Sequence, residues 1–455
     1  MQDTVTVIGG GLAGSEAAWQ LAERGVRVRL FEMRPAQRTP VHASGDLAEL
    51  VCSNSLKSLD ADSASGALKY ELSQLGSQVL RCALATRVAA GAALAVERKG
   101  FARLVTDSLE AHENVEVVRE EFTGLSELCA GGGHAIVATG PLTSSGLERP
   151  LVRMLGHENL AFFDAAAPIV EAASLDRDRL FLQSRYDKSG GDYLNAPLTR
   201  EEYEVFVREL VQAARVMPQR FEAAELFQAC QPVEEVARSG HDTLRYGALK
   251  PVGLTDPRTG RRPWAVVQLR PENREGTAYN LVGFQTNLTF GEQERVFRLI
   301  PGLEQAAFSR FGVMHRNTFI DSPRLLDAGF ALRERPSLRF AGQITGTEGY
   351  VEAMASGLFV ALVTYADLRG IRRPVLPEET VLGSLFAYAT DPAVTGYQPM
   401  HVNYGIIKPL PEPPRRKKER YAAYSQRSRT AIDAFREHNA ALSFLPSYPV
   451  PFLLP

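Results

Sequence analysis

"TVTVIGGGLAGSEAAWQLAERGVRVRLFEMRP", Thr4 to Pro35, places a strand, a glycine turn, a helix and a second strand in unbroken order. Thr4 to Ile8 is a short β-branched run, the pattern of a strand buried in a parallel sheet. Gly9-x-Gly11-x-x-Gly14 follows at once, and Ala13 to Arg24 has helical character. The first glycine permits the sharp turn, the second lets a pyrophosphate approach the backbone, and the third lets helix and strand pack closely. The helix start then aims its free N–H groups and positive dipole end at the phosphates. Val26 to Phe31 reads as the second strand, and Glu32 closes it, 18 residues after Gly14. A carboxylate there accepts both hydroxyls of an unphosphorylated adenosine ribose. A glycine-rich turn of no function would need none of these later elements, so a dinucleotide site is the stronger reading.

Two distant segments select a flavin over a nicotinamide. "HAIVATGP", His134 to Pro141, is a strand delivering an Ala-Thr-Gly turn. "LRFAGQITGTEGYVEAMASG", Leu338 to Gly357, is a strand, a glycine loop and a helix rich in small residues. A second helix start beginning at Tyr350 can face an anionic flavin. An ordinary strand–helix turn would explain this segment alone, but not its pairing with the first unit. The cofactor-contacting residues expected for FAD are Gly9, Gly10, Gly11, Gly14, Glu32, Arg34, Gly140, Gly342, Gln343, Gly346, Gly349 and Tyr350.

With 455 residues the chain exceeds one compact core. The expected class is α/β: a Rossmann-like FAD-binding domain with a parallel sheet, interrupted by an α+β insertion. Residues 1–183 and 312–410 form the two segments of the FAD domain, 184–311 the insertion, and 411–455 a basic C-terminal tail. Inside the insertion, Thr199-x-x-Glu202 resembles a capping box, and Trp264 to Phe290 reads as two strands with a polar, arginine-bearing connection. In the tail, "PEPPRRKKERYAAYSQRSRTAIDAF" sets Arg415, Arg416, Lys417, Lys418 and Arg420 beside tyrosines. Most charge runs are solvated helix faces. This one is also the best nucleic-acid footprint in a chain whose 51 basic and 53 acidic residues nearly cancel.

Four cysteines without a C-x-x-C pair suit a reducing compartment and exclude a zinc ribbon; no metal site is expected. No secretory leader is expected. The apolar stretch from Gly357 to Leu368 reads as too short to span a bilayer, so the location expected is cytoplasmic, away from membranes. Cys82 and Cys129 sit among apolar or small residues and read as packing. Cys52, in "AELVCSNSLKS", and Cys230, in "FQACQPVEE", lie among polar side chains. Each alone is most simply an inert thiol. Together, one from each domain can face the other across an interdomain cleft, where ligand sites gather.

These stretches resemble the folate- and FAD-dependent tRNA (uracil-5-)-methyltransferases nearly end to end. Beyond the glycine fingerprint, "LAELVCSNSLKS", "GAALAVERKGF", "YLNAPLTREEY", "DTLRYGALKPVGL", "NLVGFQTNL" and "YQPMHVNYGIIKPLP" carry the likeness. The resemblance implies bound FAD, methylenetetrahydrofolate as carbon donor, NAD(P)H as reductant and ribothymidine in the T-loop of tRNA as product. It maps the family's two functional cysteines onto Cys52 and Cys230, and implies no obligate protein partner. A thiolate adding to carbon 6 of uracil makes carbon 5 nucleophilic, and a second group then removes the carbon-5 proton. Cys230 is taken as nucleophile and Cys52 as base, an assignment the residues themselves leave open. Lys57, beside Cys52, is expected to supply positive potential to the thiol. Lys250 joins the Arg415–Arg420 run as a grip on RNA phosphates, since a stacked uridine must be splayed out to react.

The pattern departs from the family at Asn287, where relatives often carry a His suited to stacking on a pterin, and at Ala196, which replaces a frequent Cys. Three other readings stand beside this one. The first is an FAD-dependent wobble-uridine enzyme of the glucose-inhibited division type, which works with a GTPase and carries a further helical domain. The second is a general NAD(P)H flavoprotein oxidoreductase, and the third a tRNA chaperone using FAD structurally.

Overall fold

The computed structural model describes residues 4–37, 39, 41–125, 128, 132–156, 160–165, 167–187, 191–216, 231–271, 276–312, 314–394 and 397–452. The β-branched opening forms the strand Thr4–Ile8 at the heart of a six-stranded sheet. Across it the order is Ala331–Leu332, Arg335–Phe340, His134–Val137, Thr4–Ile8, Arg27–Phe31 and Val115–Val118. The five strands from Arg335–Phe340 onward run parallel, while the short first one is antiparallel to its neighbour. Ile8 lies level with both Phe31 and Val137, and Val137 with Phe340. Four strands therefore end together, and the turns after them share one edge of the sheet, the side where ligands bind in open α/β folds.

The helix Leu12–Ala22 packs against Tyr350–Arg369. Their backbones come so close that a Cβ on Gly357 would overlap the Ala13 carbonyl. The second helix corrects one expectation. It runs 20 residues, long and apolar enough to cross a membrane by length and composition, where the sequence suggested a shorter span. Yet 83% of that apolar window is buried inside the protein, so it serves as a central core helix.

A second hydrophobic core extends from Ala167 to Ala306. Its antiparallel sheet has the order Phe181–Leu182, Leu194–Leu198, Ala265–Pro271, Ala278–Leu281, Ile169–Glu171 and Phe308–Arg310. Two of these strands precede residue 184, so the insertion begins earlier than expected. Ala265–Pro271 and Ala278–Leu281 pair as the sequence indicated, and Thr199 with Glu202 forms a complete capping box. Both crossings between the two cores run side by side, as the antiparallel ribbon Leu160–Ala165 with Met314–Phe319.

The C-terminal segment is no detached tail. The helix Lys417–His438 packs on Ala64–Gln74 and places Tyr424, Ile432 and Phe435 in the first core. Its Ser425 hydroxyl donates to the Ala61 carbonyl at 2.7 Å, and Tyr70 donates to Asp433 at 3.0 Å.

Candidate active site

The shared sheet edge opens into a crevice of about 1030 Å³, counting the open solvent at its mouth. Gly9 turns the chain there with φ +104°, and a Cβ on it would lie 2.6 Å from the Ala138 carbonyl oxygen. Gly11, the N-cap of Leu12–Ala22, has no atom within 4 Å of where a Cβ would stand, so the backbone is open to a ligand. At one end lies Glu32. Its Oε2 accepts the Gly10 N–H at 3.0 Å, and its Oε1 accepts the Arg34 Nε–H at 2.8 Å. Burial pushes this carboxyl's pKa up, but the hydrogen bond and charge of Arg34 outweigh it and hold the pKa below the ordinary range. At the other end stand Gly342, Gln343, Gly349 and Tyr350, the last opening a second helix whose N-cap, Gly349, also makes no side-chain cap. Two uncapped helix starts and one carboxylate on a single crevice match the phosphates, ribose and anionic ring of FAD.

Of the expected cofactor residues, Gly9, Gly11, Glu32, Arg34, Gly140, Gly342, Gln343, Gly349 and Tyr350 line this crevice. The other three shape it from behind. The Gly10 N–H is spent on Glu32, a Cβ on Gly14 would overlap the Gly9 carbonyl, and Gly346 packs under the Tyr397 ring at φ +76°. His42 also lines the wall and was not anticipated. Burial and the Arg34 charge lower its pKa to about 4, so it is neutral at pH 7.

Cys52 lies beside the Tyr350 end. Its own N–H and that of Ser53 both donate to the Tyr350 hydroxyl oxygen, at 2.7 and 3.1 Å. Burial first, then the Cys52 charge, raise the Tyr350 pKa well above its usual value, so the phenol stays protonated. From the opposite side the insertion holds the same loop. Arg270 donates from Nε to Asn54 Oδ1 and from Nη2 to Ser53 Oγ, both at 2.7 Å, and Asn54 returns a bond to the Pro271 carbonyl at 2.9 Å. Arg310 donates to the Val51 carbonyl, and the Gln285 amide nitrogen lies 3.9 Å from Cys52 Sγ. The half-buried thiol thus sits where crevice and insertion meet.

The family model of glucose inhibited division protein A matches residues 4–372. The methylenetetrahydrofolate–tRNA-(uracil-5-)-methyltransferase TrmFO of Moorella thermoacetica is 54% identical over 410 residues, covering 90% of this chain and 93% of that protein. Its namesake from Thermotoga neapolitana is 52% identical, covering 96% and 99%. The chain belongs to the TrmFO family. Aquifex aeolicus GidA, solved in two crystal forms, superposes with TM-scores of 0.71 and 0.69 over 98% of this chain and 76% and 74% of its own. At 17% and 16% identity that likeness is one of fold alone.

Other expected residues of this TrmFO-family chain fall elsewhere. Cys230 and Cys129 lie outside the described residues. The ammonium of Lys57, expected to supply positive potential to the thiol, is paired at 2.8 Å with the buried Glu352. Burial raises that carboxyl's pKa, but the Lys57 charge wins and lowers it. Asn287 is buried, with its N–H on Glu234 Oε1 at 2.7 Å. Lys250, Arg415, Arg416, Lys417 and Lys418 are exposed, and Arg420 is half-buried. Arg270, Arg310 and Gln285 were missed. Each sits in a strand or loop of the insertion, and no spacing relates such residues to a cysteine more than 200 positions away.

Proposed function

We propose that the chain methylates carbon 5 of a uridine in the T-loop of tRNA, with methylenetetrahydrofolate as carbon donor, FAD as bound cofactor and NAD(P)H as reductant. The reaction takes place in the cytoplasm. One observation carries this reading: a thiol pinned by Tyr350 to the helix start at one end of a dinucleotide crevice, and held on its other side by the insertion.

Gly9, Gly11, Glu32, Arg34, Gly140, Gly342, Gln343, Gly349 and Tyr350 would hold the FAD, with Gly10, Gly14 and Gly346 shaping its bed. Bound there and reduced, FAD would supply the hydride needed to turn a methylene on carbon 5 into a methyl group. The remaining work falls to side chains of the chain itself. Cys230 as thiolate adds to carbon 6 of uracil, and carbon 5 attacks the folate methylene. Cys52, as thiolate, then takes the proton from carbon 5 as tetrahydrofolate leaves the methylene, and hydride arriving at that methylene restores the ring double bond and releases the Cys230 thiolate from carbon 6. Because the backbone N–H groups of Cys52 and Ser53 are both committed to Tyr350, the loop that carries the sulfur is fixed beside the crevice. Val233, three residues beyond Cys230, donates to the carbonyl of Gln285, whose amide faces Cys52 Sγ; this supports a site built from both cysteines.

The phosphate grip assigned to Lys250, Arg415, Arg416, Lys417, Lys418 and Arg420 has its own support. The run stands at the start of Lys417–His438, where positive charge opposes the helix dipole and costs stability. That cost is offset when RNA phosphates occupy the site.

The test is a T-arm RNA hairpin carrying 5-fluorouracil at the target position, incubated with flavin-loaded protein, methylenetetrahydrofolate and NADPH. Fluorine blocks removal at carbon 5, so a covalent protein–RNA band should accumulate and vanish in Cys230→Ala. No band with the wild type, together with no methyl product from ordinary RNA, would overturn the reading.

A further inference from the structure

The insertion carries an aromatic column that the cysteine chemistry leaves unused. From buried Phe284, ring centroids step to Phe297 at 5.3 Å, Phe308 at 6.5 Å, Phe311 at 5.3 Å and Phe290 at 4.8 Å. The last two steps are nearly parallel, at 17° and 15°. Phe284 and Phe297 are fully buried, whereas Phe290 is 52% exposed. A ring backed by a stack and open to water is an unfavourable way to end a hydrophobic column, unless a ligand covers it.

Two neighbours narrow what that ligand is. Phe290 begins the helix Phe290–Phe297, whose N-cap Thr289 makes no side-chain cap, and a Cβ on Gly291 would meet no atom within 4 Å. An open helix start favours an anion. The acid in this first turn, Glu292, is held at 2.7 Å by Arg295, which offsets its repulsion. A flat apolar face beside an anion-receptive helix start suits a nucleobase with its phosphate. An apolar protein surface would leave those N–H groups buried without partners. The column also borders the reactive loop, because Arg310 beside Phe311 binds the Val51 carbonyl and Gln285 faces Cys52.

We propose that Phe290 is a stacking platform for an unpaired base of the substrate RNA, flanking the uridine presented to Cys52, with the Gly291 helix start receiving its phosphate. The assignment rests on the tRNA reading above. It commits to RNA as occupant rather than a second copy of the chain.

Full-length, flavin-loaded Phe290→Ala, Phe290→Leu and Phe290→Trp test it by fluorescence anisotropy with a T-arm hairpin. Loss of one base stack should weaken binding roughly ten- to a hundredfold in Ala and Leu. Trp should bind as the wild type does, with its added indole emission quenched by RNA. Removing the contacted loop base from the hairpin should weaken wild-type binding but cost the Ala variant nothing further. Wild-type affinity in Ala or Leu, at unchanged flavin absorbance, overturns the proposal, as does a Phe290-dependent dimer with RNA binding unaffected. A wild type that binds no hairpin and forms no 5-fluorouracil adduct instead fails the tRNA reading itself.

Discussion

Glu71 shows how a single buried carboxyl joins distant parts of the chain. It is fully buried, and its oxygens accept the N–H groups of Val381 and Leu382, each at 2.9 Å, and the Ser428 hydroxyl. It therefore closes the start of the helix Val381–Thr390 and anchors the terminal helix at once. Burial outweighs these bonds and raises its pKa from 4.5 to about 7. The folded state then holds a proton that the unfolded state releases, so the group's contribution to stability falls as pH rises from about 4.5 to about 7 and is level beyond. Over that window the loss is roughly 3 kcal/mol. Urea unfolding of the wild type and Glu71→Gln at pH 5 and pH 8 should show the wild type losing ground against the variant by about that amount. A difference that does not change with pH would refute the assignment.

Among the elements, the terminal helix combines two jobs that separate along its length. Its middle is structural: Tyr424, Ser425, Ser428, Ile432 and Phe435 are buried, and Arg429 donates to the Ala61 carbonyl at 3.1 Å. Its start is different, since Lys417 and Lys418 are exposed and Arg416, the N-cap, pairs with Glu419 at 3.3 Å. Replacing Arg415, Arg416, Lys417, Lys418 and Arg420 together by Gln should leave the melting temperature level or slightly higher, as the dipole conflict is removed. The same change should weaken T-arm RNA binding and flatten its dependence on log salt by as much as about four. An unchanged salt slope would return this run to the class of plain solvated faces. Truncation at residue 410, by contrast, should unfold the protein, because it strips the first core of Ile432 and Phe435 and uncovers Glu71.

Over the whole molecule, two cores meet at the cysteine loop. Besides the clasp of Arg270 on Ser53 and Asn54, the Tyr193 hydroxyl of the insertion donates to the Ala90 carbonyl at 3.1 Å. Arg270 is buried, so removing it leaves Asn54 and Ser53 short of a charged donor. Arg270→Ala should cost about 2–4 kcal/mol and speed alkylation of Cys52 by iodoacetamide several-fold, as the loop comes free. Alkylation at the wild-type rate would show that the insertion does not hold the loop.

The parallel sheet, the glycine crevice and its glycine-bearing turns were legible in residue order, because each depends on contacts within a strand–turn–helix unit. Thr4 to Glu32 needed no partner to declare itself, and the capping box at Thr199 and Glu202 was equally local. What touches Cys52 was not legible. Tyr350 and Arg270 reach it across 298 and 217 positions, counted to Cys52 and Ser53, and only folding sets them beside it. Two further contacts were out of reach of residue order for the same reason. Lys57 neighbours the cysteine in the chain and pairs with Glu352, and the terminal helix docks on one far earlier in the chain, through bonds such as Ser428 to Glu71 at a separation of 357. Local order set the dinucleotide fold; the tertiary structure alone chose the neighbours of the thiol, because burial and charge pairing act between surfaces that the chain brings together only once it is folded.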